Sequence, residues 1–237
     1  MEQLVFEFAA PEPPRITNFL PGRNRELIAA LTRFATGETG ETGFLLWGAP
    51  GAGKTHLLSA ALALAADSGI GTHFFAGPEA VAVDGPLPAD GLVGIDRVDE
   101  ADARTAARIF TLYNALKERG GRLLAATRAP LAALPLREDV RTRLGWGLVY
   151  EVLPLEDEQK ATALAAYAAQ RGLRLSAEVI DYLLRHGRRD MRTLLATLAA
   201  LDRLSLAAKR PVTVPLLKQW LERGAAQAAA RDTTGDH

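Results

Sequence analysis

The sequence predicts an α/β fold with a parallel sheet, followed by a small all-α domain. An apolar run at residues 44–47 leads through a glycine-rich loop into a helix-forming run of alanine and leucine. Two later apolar runs each end in a polar residue, Asp96 and Thr127, and helical stretches separate them. After Pro154 only helical patterns remain. The 237 residues leave room for one large domain and one small one.

The glycine-rich loop has the spacing G-x-x-x-x-G-K-T between a predicted strand and a predicted helix. Its glycines let backbone N–H groups point inward and cradle a polyphosphate at a helix N-terminus. Lys54 would reach the β- and γ-phosphates, and the hydroxyl of Thr55 would ligate Mg²⁺. The complete motif in this context predicts a nucleotide-binding P-loop, although binding does not imply turnover. The predicted binding residues are Gly48, Ala49, Pro50, Gly51, Ala52, Gly53, Lys54, Thr55 and His56.

Composition excludes several classes of function. The formal net charge is zero, so the protein has no overall positive charge that would attract nucleic acid or an anionic membrane. The absence of cysteine excludes disulfides and thiolate chemistry, and the four histidines lack ligand spacing. No signal peptide and no membrane-length apolar run is present, which predicts a cytoplasmic protein.

Residues 1–18 are expected to form an extended arm, because prolines at 11, 13 and 14 remove backbone donors and favour an extended chain. Near its start, Leu4, Phe6 and Phe8 alternate with other residues. Such a strand-like peptide can insert every second side chain into a partner. Packing as an edge strand on its own domain explains the pattern equally well.

The remaining elements follow from apolar periodicity and from turn residues. Helices are predicted at residues 25–36, from the P-loop to Asp67, at 103–119 and, with three arginines, at 134–144. Further strands are predicted at 71–76, 91–96, 121–127 and 147–152, and little regular structure is predicted at 77–91.

Asp96 ends its strand as a Walker B aspartate would, holding Mg²⁺ through water. Thr127 ends a strand at the edge that faces the ligand in open α/β sheets.

The all-α region contains four predicted helices, with N-caps at Ser176 and Asp190. They span residues 156–171, 176–185, 190–207 and 214–223. The expected domains are therefore the arm at 1–18, the α/β domain at 19–154, a helical lid at 155–223 and a tail at 224–237.

The order of these segments resembles an AAA+ ATPase module over nearly the whole chain. Within that class it is similar to the DnaA-related family and, more closely, to Hda, the regulatory inactivators of the bacterial replication initiator DnaA. The segments that carry the resemblance are 53–58 (GKTHLL), 143–147 (RLGWG), 190–194 (DMRTL), 19–24 (FLPGRN), 198–203 (LAALDR) and 212–215 (VTVP). A DnaA chain is expected to add a DNA-binding domain and a separate N-terminal domain.

The resemblance implies roles for residues outside the P-loop. Arg143 would be an arginine finger acting in trans, with Arg141 as the fallback, although a solvated helix charge or a salt bridge also fits Arg143. Arg192 would be the sensor-2 arginine and Thr127 would occupy the sensor-1 position. Phe19, Leu20 and Pro21 would pack on the adenine of bound ADP or ATP. Gln3, Leu4, Phe6 and Phe8 would bind the sliding clamp of DNA polymerase III.

Two positions depart from the pattern of active ATPases. Arg97 stands where many relatives have a second acidic residue, and Thr127 stands where an aspartate is common. Without a positioned carboxylate the attacking water is poorly activated, so intrinsic hydrolysis of ATP is expected to be slow.

The resemblance implies a negative regulator of replication initiation that acts at the replisome. Its partners would be DnaA and the clamp, and it would reach DNA through the clamp. Whether the protein forms a homodimer is left open. The alternatives are an ATP-hydrolysing loader or remodelling ATPase and a DNA-binding initiator paralogue.

Overall fold

The computed structural model describes residues 13–82, 90–188, 190–208 and 211–222. The chain folds as two units, one from Pro13 to Leu155 and the other from Glu156 onward. The first is an α/β domain and the second is helical. The parallel sheet and the helical lid region confirm the predicted fold class.

The α/β domain alternates strands and helices along the chain. Its elements are α1 (Arg25–Thr36), β1 (Gly43–Trp47), α2 (Lys54–Asp67), β2 (Thr72–Phe75), α3 (Pro78–Ala82), β3 (Leu92–Ile95), α4 (Ala103–Arg119), β4 (Arg122–Thr127), α5 (Glu138–Gly145) and β5 (Leu148–Glu151). Short 3₁₀ helices lie at Ile16–Asn18, Val98–Glu100 and Leu131–Ala133. Periodicity located α1 and α4 correctly because each has one apolar face that packs into a core beside the sheet.

The five strands are all parallel and lie in the order β2-β3-β4-β1-β5. The strand that ends at Thr127 therefore lies between the P-loop strand and the strand that precedes Asp96. Because every strand runs in the same direction, the carboxyl ends meet at one edge of the sheet. The P-loop, Asp96 and Thr127 are thereby gathered at that edge.

The sheet is buried on both faces, as parallel sheets require. Phe44 and Leu46 of β1 point into a core formed with α1 and α2. Leu45, between them, points into the opposite core, which α4 and α5 complete. This alternation explains why β1 is a continuous apolar run rather than an amphipathic strand.

Three boundaries differ from the sequence prediction. Residues 13–18 belong to the α/β unit, so the arm predicted over 1–18 is too long at its C-terminal end. The connection at 77–91, predicted to hold little regular structure, contains the short helix α3, which begins at Pro78 because proline at the first helical position needs no N–H partner. The helix predicted from residue 134 begins only at Glu138, because Pro135 cannot lie in a helix interior.

The lid unit contains α6 (Asp157–Gln170), α7 (Ala177–His186), α8 (Met191–Ala208) and a helical segment at residues 214–222, here α9. The side chain of Ser176 accepts a hydrogen bond from the N–H of Val179, and Asp190 accepts one from the N–H of Thr193. Both residues thus make the N-cap bonds predicted for them. The helices share one apolar core that includes Leu164, Leu183, Leu198 and Leu217.

Candidate functional site

The P-loop backbone connects β1 to α2 at the carboxyl edge of the sheet. Gly48 has φ +152° and Gly53 has φ +105°, and both values lie in a region that favours glycine. A Cβ on Gly48 would lie 2.6 Å from the carbonyl oxygen of Val152. A Cβ on Gly53 would lie 2.7 Å from the ring of Phe19. The motif glycines are therefore required both by backbone conformation and by close neighbours.

The side chain of Lys54 lies within this loop. Its Nζ donates to the carbonyl oxygens of Gly48, at 2.7 Å, and Ala49, at 2.9 Å. Burial lowers the pKa of Lys54, and the negative charges of Asp96 and Asp99 partly oppose that shift. A phosphate beside Nζ would act in the same direction as those two carboxylates, so it would favour the charged amine.

Thr55 and Asp96 form the part of the site that suits a magnesium ion. The Thr55 hydroxyl donates to Oδ2 of Asp96 at 2.6 Å, and the N–H of Arg97 donates to Oδ1 at 2.9 Å. Asp96 is buried, whereas Thr55 is exposed. A hydroxyl and a carboxylate are hard oxygen donors, and Mg²⁺ is usually held by one or two carboxylates, substrate phosphates and water. The donor set therefore fits the ion predicted for the site.

Arg97 occupies the position that departs from the ATPase pattern, and its side chain is used for structure. Its guanidinium bonds to Glu79 of α3 at 2.9 Å, to Glu100 at 3.1 Å and to the carbonyl oxygen of Ala76 at 3.2 Å. Its backbone has φ +53°, the only positive φ at a non-glycine residue in the described ranges. Arg97 therefore links the segment after β3 to α3 and supplies no base for water.

The acidic residues that follow Arg97 are paired with Arg128, which comes directly after β4. Arg128 donates to Asp99 from its backbone N–H at 3.1 Å and from Nε at 2.9 Å, and it also pairs with Glu100. The hydrogen bond that Arg128 donates to Asp99 is the main reason that the pKa of Arg128 is raised. Both carboxylates near the Walker B strand are therefore neutralised by arginine.

Thr127 is fully buried at the end of β4. Its hydroxyl donates to the carbonyl oxygen of Ala129 at 2.9 Å, and in the sheet it lies opposite Trp47 of β1. The structure thus brings this predicted sensor residue to the same edge as the P-loop, where its hydroxyl closes a local turn.

Phe19, Leu20 and Pro21 lie just before α1. The ring of Phe19 is half-buried between Gly53 and His56, and its centroid is 5.5 Å from that of His56. Leu20 and Pro21 are exposed. This segment therefore borders the P-loop at the N-terminus of α2, and its apolar groups are accessible there.

Sequence reasoning missed Asn24, which anchors this bordering segment. Asn24 is 3% exposed, and its side-chain amide donates to the carbonyl oxygen of Leu153 at 2.8 Å. Its Oδ1 accepts from the N–H of Leu153, also at 2.8 Å. One side chain thereby satisfies both backbone groups of a residue that lies just after β5. An asparagine before a helix carries no local signal of so distant a partner.

Arg143 lies in the last turn of α5 and is held by neutral groups. Its guanidinium carbon is 3.8 Å from the ring centroid of Trp146 and 5.1 Å from that of Phe110, and its Nε donates to Oδ1 of Asn114 at 3.2 Å. Within the described part of the chain no carboxylate pairs with it, whereas Arg137 on the same segment pairs with Asp139. Among the described residues, Arg143 is therefore not in a salt bridge, which was one of the alternatives to the arginine-finger role.

The remaining predicted residues belong to other segments of the chain. Arg192 is exposed near the start of α8 in the lid unit. Gln3, Leu4, Phe6 and Phe8, which are predicted to bind the clamp, fall outside the described residues. In the ranges that the structure does describe, no three or more histidines or carboxylates are grouped as a metal site. No helix in those ranges is long and apolar enough to span a bilayer.

Comparison with known proteins agrees with this arrangement. Residues 157–221 match the family model of the Hda lid domain. The chain is similar in fold to domain III of the replication initiation protein DnaA from Thermotoga maritima, with a TM-score of 0.73, 16% identity, and coverage of 90% of this chain and 97% of that one.

Two further solved structures share the fold. AMPPCP-bound DnaA from Aquifex aeolicus gives a TM-score of 0.64 at 20% identity, covering 84% of this chain and 70% of that one. A RuvB structure from Thermotoga maritima has a TM-score of 0.62 at 15% identity, and the match covers 89% of this chain and 72% of that one. The lid match at residues 157–221 and the fold shared with DnaA domain III are consistent with a DnaA-related AAA+ protein that has an Hda-type lid.

Proposed function

We propose that this protein is a negative regulator of replication initiation that docks on the DNA-loaded sliding clamp and stimulates hydrolysis of the ATP held by DnaA. Arg143 supplies positive charge to the transition state in the partner's site. Arginine fingers contribute on the order of 10³–10⁵ in rate when they act in this way. The match to the Hda lid domain and the DnaA-type fold support a DnaA-related regulator.

The observation that carries the proposal is the environment of Arg143. A finger must bring net positive charge to a partner's phosphates, and a carboxylate beside it would cancel that charge. Arg143 is instead supported by two aromatic rings and one amide oxygen. The fallback Arg141 has no such support among the described residues, since only its backbone appears in a hydrogen bond.

The protein's own nucleotide serves mainly as a structural element in this proposal. ADP or ATP with Mg²⁺ is bound by the P-loop, Thr55 and Asp96, and Arg192 closes the lid over it. Intrinsic hydrolysis is slow because Asp99 and Glu100, the acidic residues after Arg97, are held in ion pairs with Arg128. Removal of a proton from the attacking water then lacks a free carboxylate.

The clamp contact belongs to the N-terminal peptide, residues 3–8. Leu4, Phe6 and Phe8 insert into the clamp, while Pro11, Pro13 and Pro14 keep the peptide extended from the α/β domain. Residues 13–18 pack on that domain, so the peptide leaves from a fixed point beside α2. The protein acts in the cytoplasm at the replisome.

The experiment that tests the proposal measures ATP hydrolysis by DnaA with DNA-loaded clamp, with and without this protein. Wild type should stimulate hydrolysis, and Arg143→Ala should lose at least about 10³-fold of the stimulation while it retains ADP and clamp binding. Arg141→Ala is the matched control, because it removes a neighbouring arginine from the same helix. Full stimulation by Arg143→Ala would overturn the finger assignment.

The rival function is an ATPase with its own turnover, which the complete P-loop and the Thr55–Asp96 pair favour. Phosphate release by the protein alone, without DnaA, distinguishes the two. Rapid release would support a loader or remodelling ATPase, and slow release with strong stimulation of DnaA would support the regulator. A salt-dependent gel shift would test the DNA-binding paralogue.

A further inference from the structure

The guanidinium of Arg143 is held by three groups that leave its phosphate-binding side unoccupied. The ring of Trp146 covers one part of it at 3.8 Å, Phe110 lies at 5.1 Å, and Asn114 accepts from Nε. In the described chain no other hydrogen bond to the Arg143 side chain is present. Its two terminal amino groups, Nη1 and Nη2, therefore keep their donors for a ligand.

This distribution of contacts matters because arginine binds a phosphate through several N–H donors in a rigid fork. A carboxylate partner would occupy that fork and neutralise it. Asn114 instead takes only the Nε donor and adds no charge, while the aromatic faces restrict the plane of the guanidinium. The arrangement limits the rotamers of a long side chain without using the groups that recognise phosphate.

Two of the three supporting residues come from one face of α4. Phe110 and Asn114 are four residues apart, so they lie above one another on the helix. Trp146 follows α5 directly, and α4 packs against α5. Asn114 is half-buried and Trp146 is 48% exposed, so the support is built into the α4–α5 contact while the indole remains accessible.

We propose that Asn114 is a positioning residue that, together with the indole of Trp146, presets Arg143 for a phosphate of the partner's nucleotide. The inference rests on the proposed function, since it deepens the role of Arg143. Preorganisation lowers the cost of ordering the guanidinium in the transition state. Losing it reduces the maximal rate and leaves partner binding unchanged.

The first test is Asn114→Ala in the stimulated hydrolysis of DnaA-bound ATP, with the concentration of this protein varied. The maximal stimulated rate should fall roughly ten- to hundredfold, the size expected for one lost hydrogen bond from a charged guanidinium. The half-saturating concentration should stay unchanged. Thr111→Ala is the control, because Thr111 is an exposed residue of the same helix and bonds only within α4.

Asn114→Asp separates positioning from a merely structural role. Aspartate has nearly the same shape as asparagine and would pair with the guanidinium, so thermal stability should be equal to or above that of wild type. The maximal rate should nevertheless fall by more than in Asn114→Ala, because the carboxylate compensates the charge of Arg143 and competes with phosphate. Trp146→Leu, which keeps an apolar contact but loses the cation–π interaction, should also lower the maximal rate.

The outcomes separate this inference from the proposed function. If wild type does not stimulate DnaA, or if Arg143→Ala stimulates it fully, the proposed function fails. If Arg143→Ala is inactive while Asn114→Ala and Asn114→Asp both retain the wild-type maximal rate, only the positioning role is overturned. A raised half-saturating concentration with an unchanged maximal rate would also overturn it, since Asn114 would then act in binding.

Discussion

At the residue scale, single side chains make the contacts that shape the site. Asn24 satisfies both backbone groups of Leu153, although the two residues are 129 positions apart. Lys54 bonds to two carbonyl oxygens of its own loop. Asn24 therefore anchors the segment that borders the P-loop, and Lys54 lies where the phosphates of a nucleotide are expected.

Replacing Asn24 by alanine should lower the free energy of unfolding by about 2–3 kcal/mol, because two buried hydrogen bonds are lost and the groups of Leu153 remain unpaired. Urea denaturation measures the change. Asn18→Ala is the matched control, since Asn18 also bonds to two backbone groups but is exposed. It should change stability by no more than about 0.5 kcal/mol. Equal effects of the two substitutions would contradict the anchoring role.

Replacing Lys54 by alanine should abolish ADP binding and, with it, the stabilisation that ADP provides. A ligand at about 100 times its Kd stabilises a protein by about 2.7 kcal/mol. Thermal melts with and without ADP and Mg²⁺ should therefore differ for wild type and coincide for Lys54→Ala. Lys117→Ala, which removes an exposed lysine of α4, should keep the full shift. A persistent ADP shift in Lys54→Ala would refute the assigned phosphate contact.

At the element scale, helix ends are satisfied by specific partners. Asp102 is the N-cap of α4, and its side chain accepts from the N–H of Thr105 at 2.8 Å. The hydrogen bonds from Thr105 lower the pKa of Asp102. Near the C-terminus of α1, the carbonyl oxygen of Phe34 accepts a hydrogen bond from the buried guanidinium of Arg122. Both contacts place charge where the helix dipole favours it.

The lowered pKa of Asp102 predicts a pH dependence of stability. A carboxyl group whose pKa is lower in the folded state stabilises the fold above its unfolded pKa, and this contribution is lost as the pH falls through the folded pKa. Asp102→Ala should lower Tm by about 2–4 °C at pH 7. The difference from wild type should shrink as the pH falls below about 4, the usual range of an aspartate.

The control for this prediction is Asp102→Asn, which keeps a side-chain acceptor but cannot ionise. Its Tm difference from Asp102→Ala should not change with pH in the acidic range. A difference between wild type and Asp102→Ala that remains constant down to pH 3 would show that the charge of Asp102 contributes nothing to α4.

At the scale of the whole molecule, the α/β domain and the lid are separate units with separate cores. Residues 157–221 match the Hda lid domain, and 90% of the chain is covered by the fold similarity to DnaA domain III. The proposed clamp peptide, residues 3–8, precedes the described part of the chain. We therefore expect mutations to separate the proposed clamp docking, nucleotide binding and action on a partner.

Deleting residues 3–8 should abolish capture of the protein by immobilised DNA-loaded clamp. The thermal melt should stay within about 1 °C of wild type, because residues 3–8 precede Pro13, where the α/β unit begins, and chain ends usually tolerate truncation. Changing Gln3, Leu4, Phe6 and Phe8 together to alanine keeps the length of the arm and should give the same loss of capture. Undiminished capture of both variants would exclude this peptide as the clamp ligand.

The sequence by itself determined the features that depend on neighbouring residues. The P-loop is encoded by the spacing of Gly48, Gly53 and Lys54, and the helices α1, α2 and α4 are bounded where periodicity and capping residues place them. The resemblance to Hda rested on short contiguous motifs, and the lid match agrees with it. Such signals are local, so they can be read without the fold.

The tertiary structure decided what depends on residues that are distant in the chain. The strand order puts β4 between β1 and β3 and brings Arg128 to Asp99, 29 positions away. The support of Arg143 by Asn114, also 29 positions away, has no counterpart in any sequence motif. A side chain's type does not specify its partner across the chain, because only packing of the helices and strands brings those groups within bonding distance.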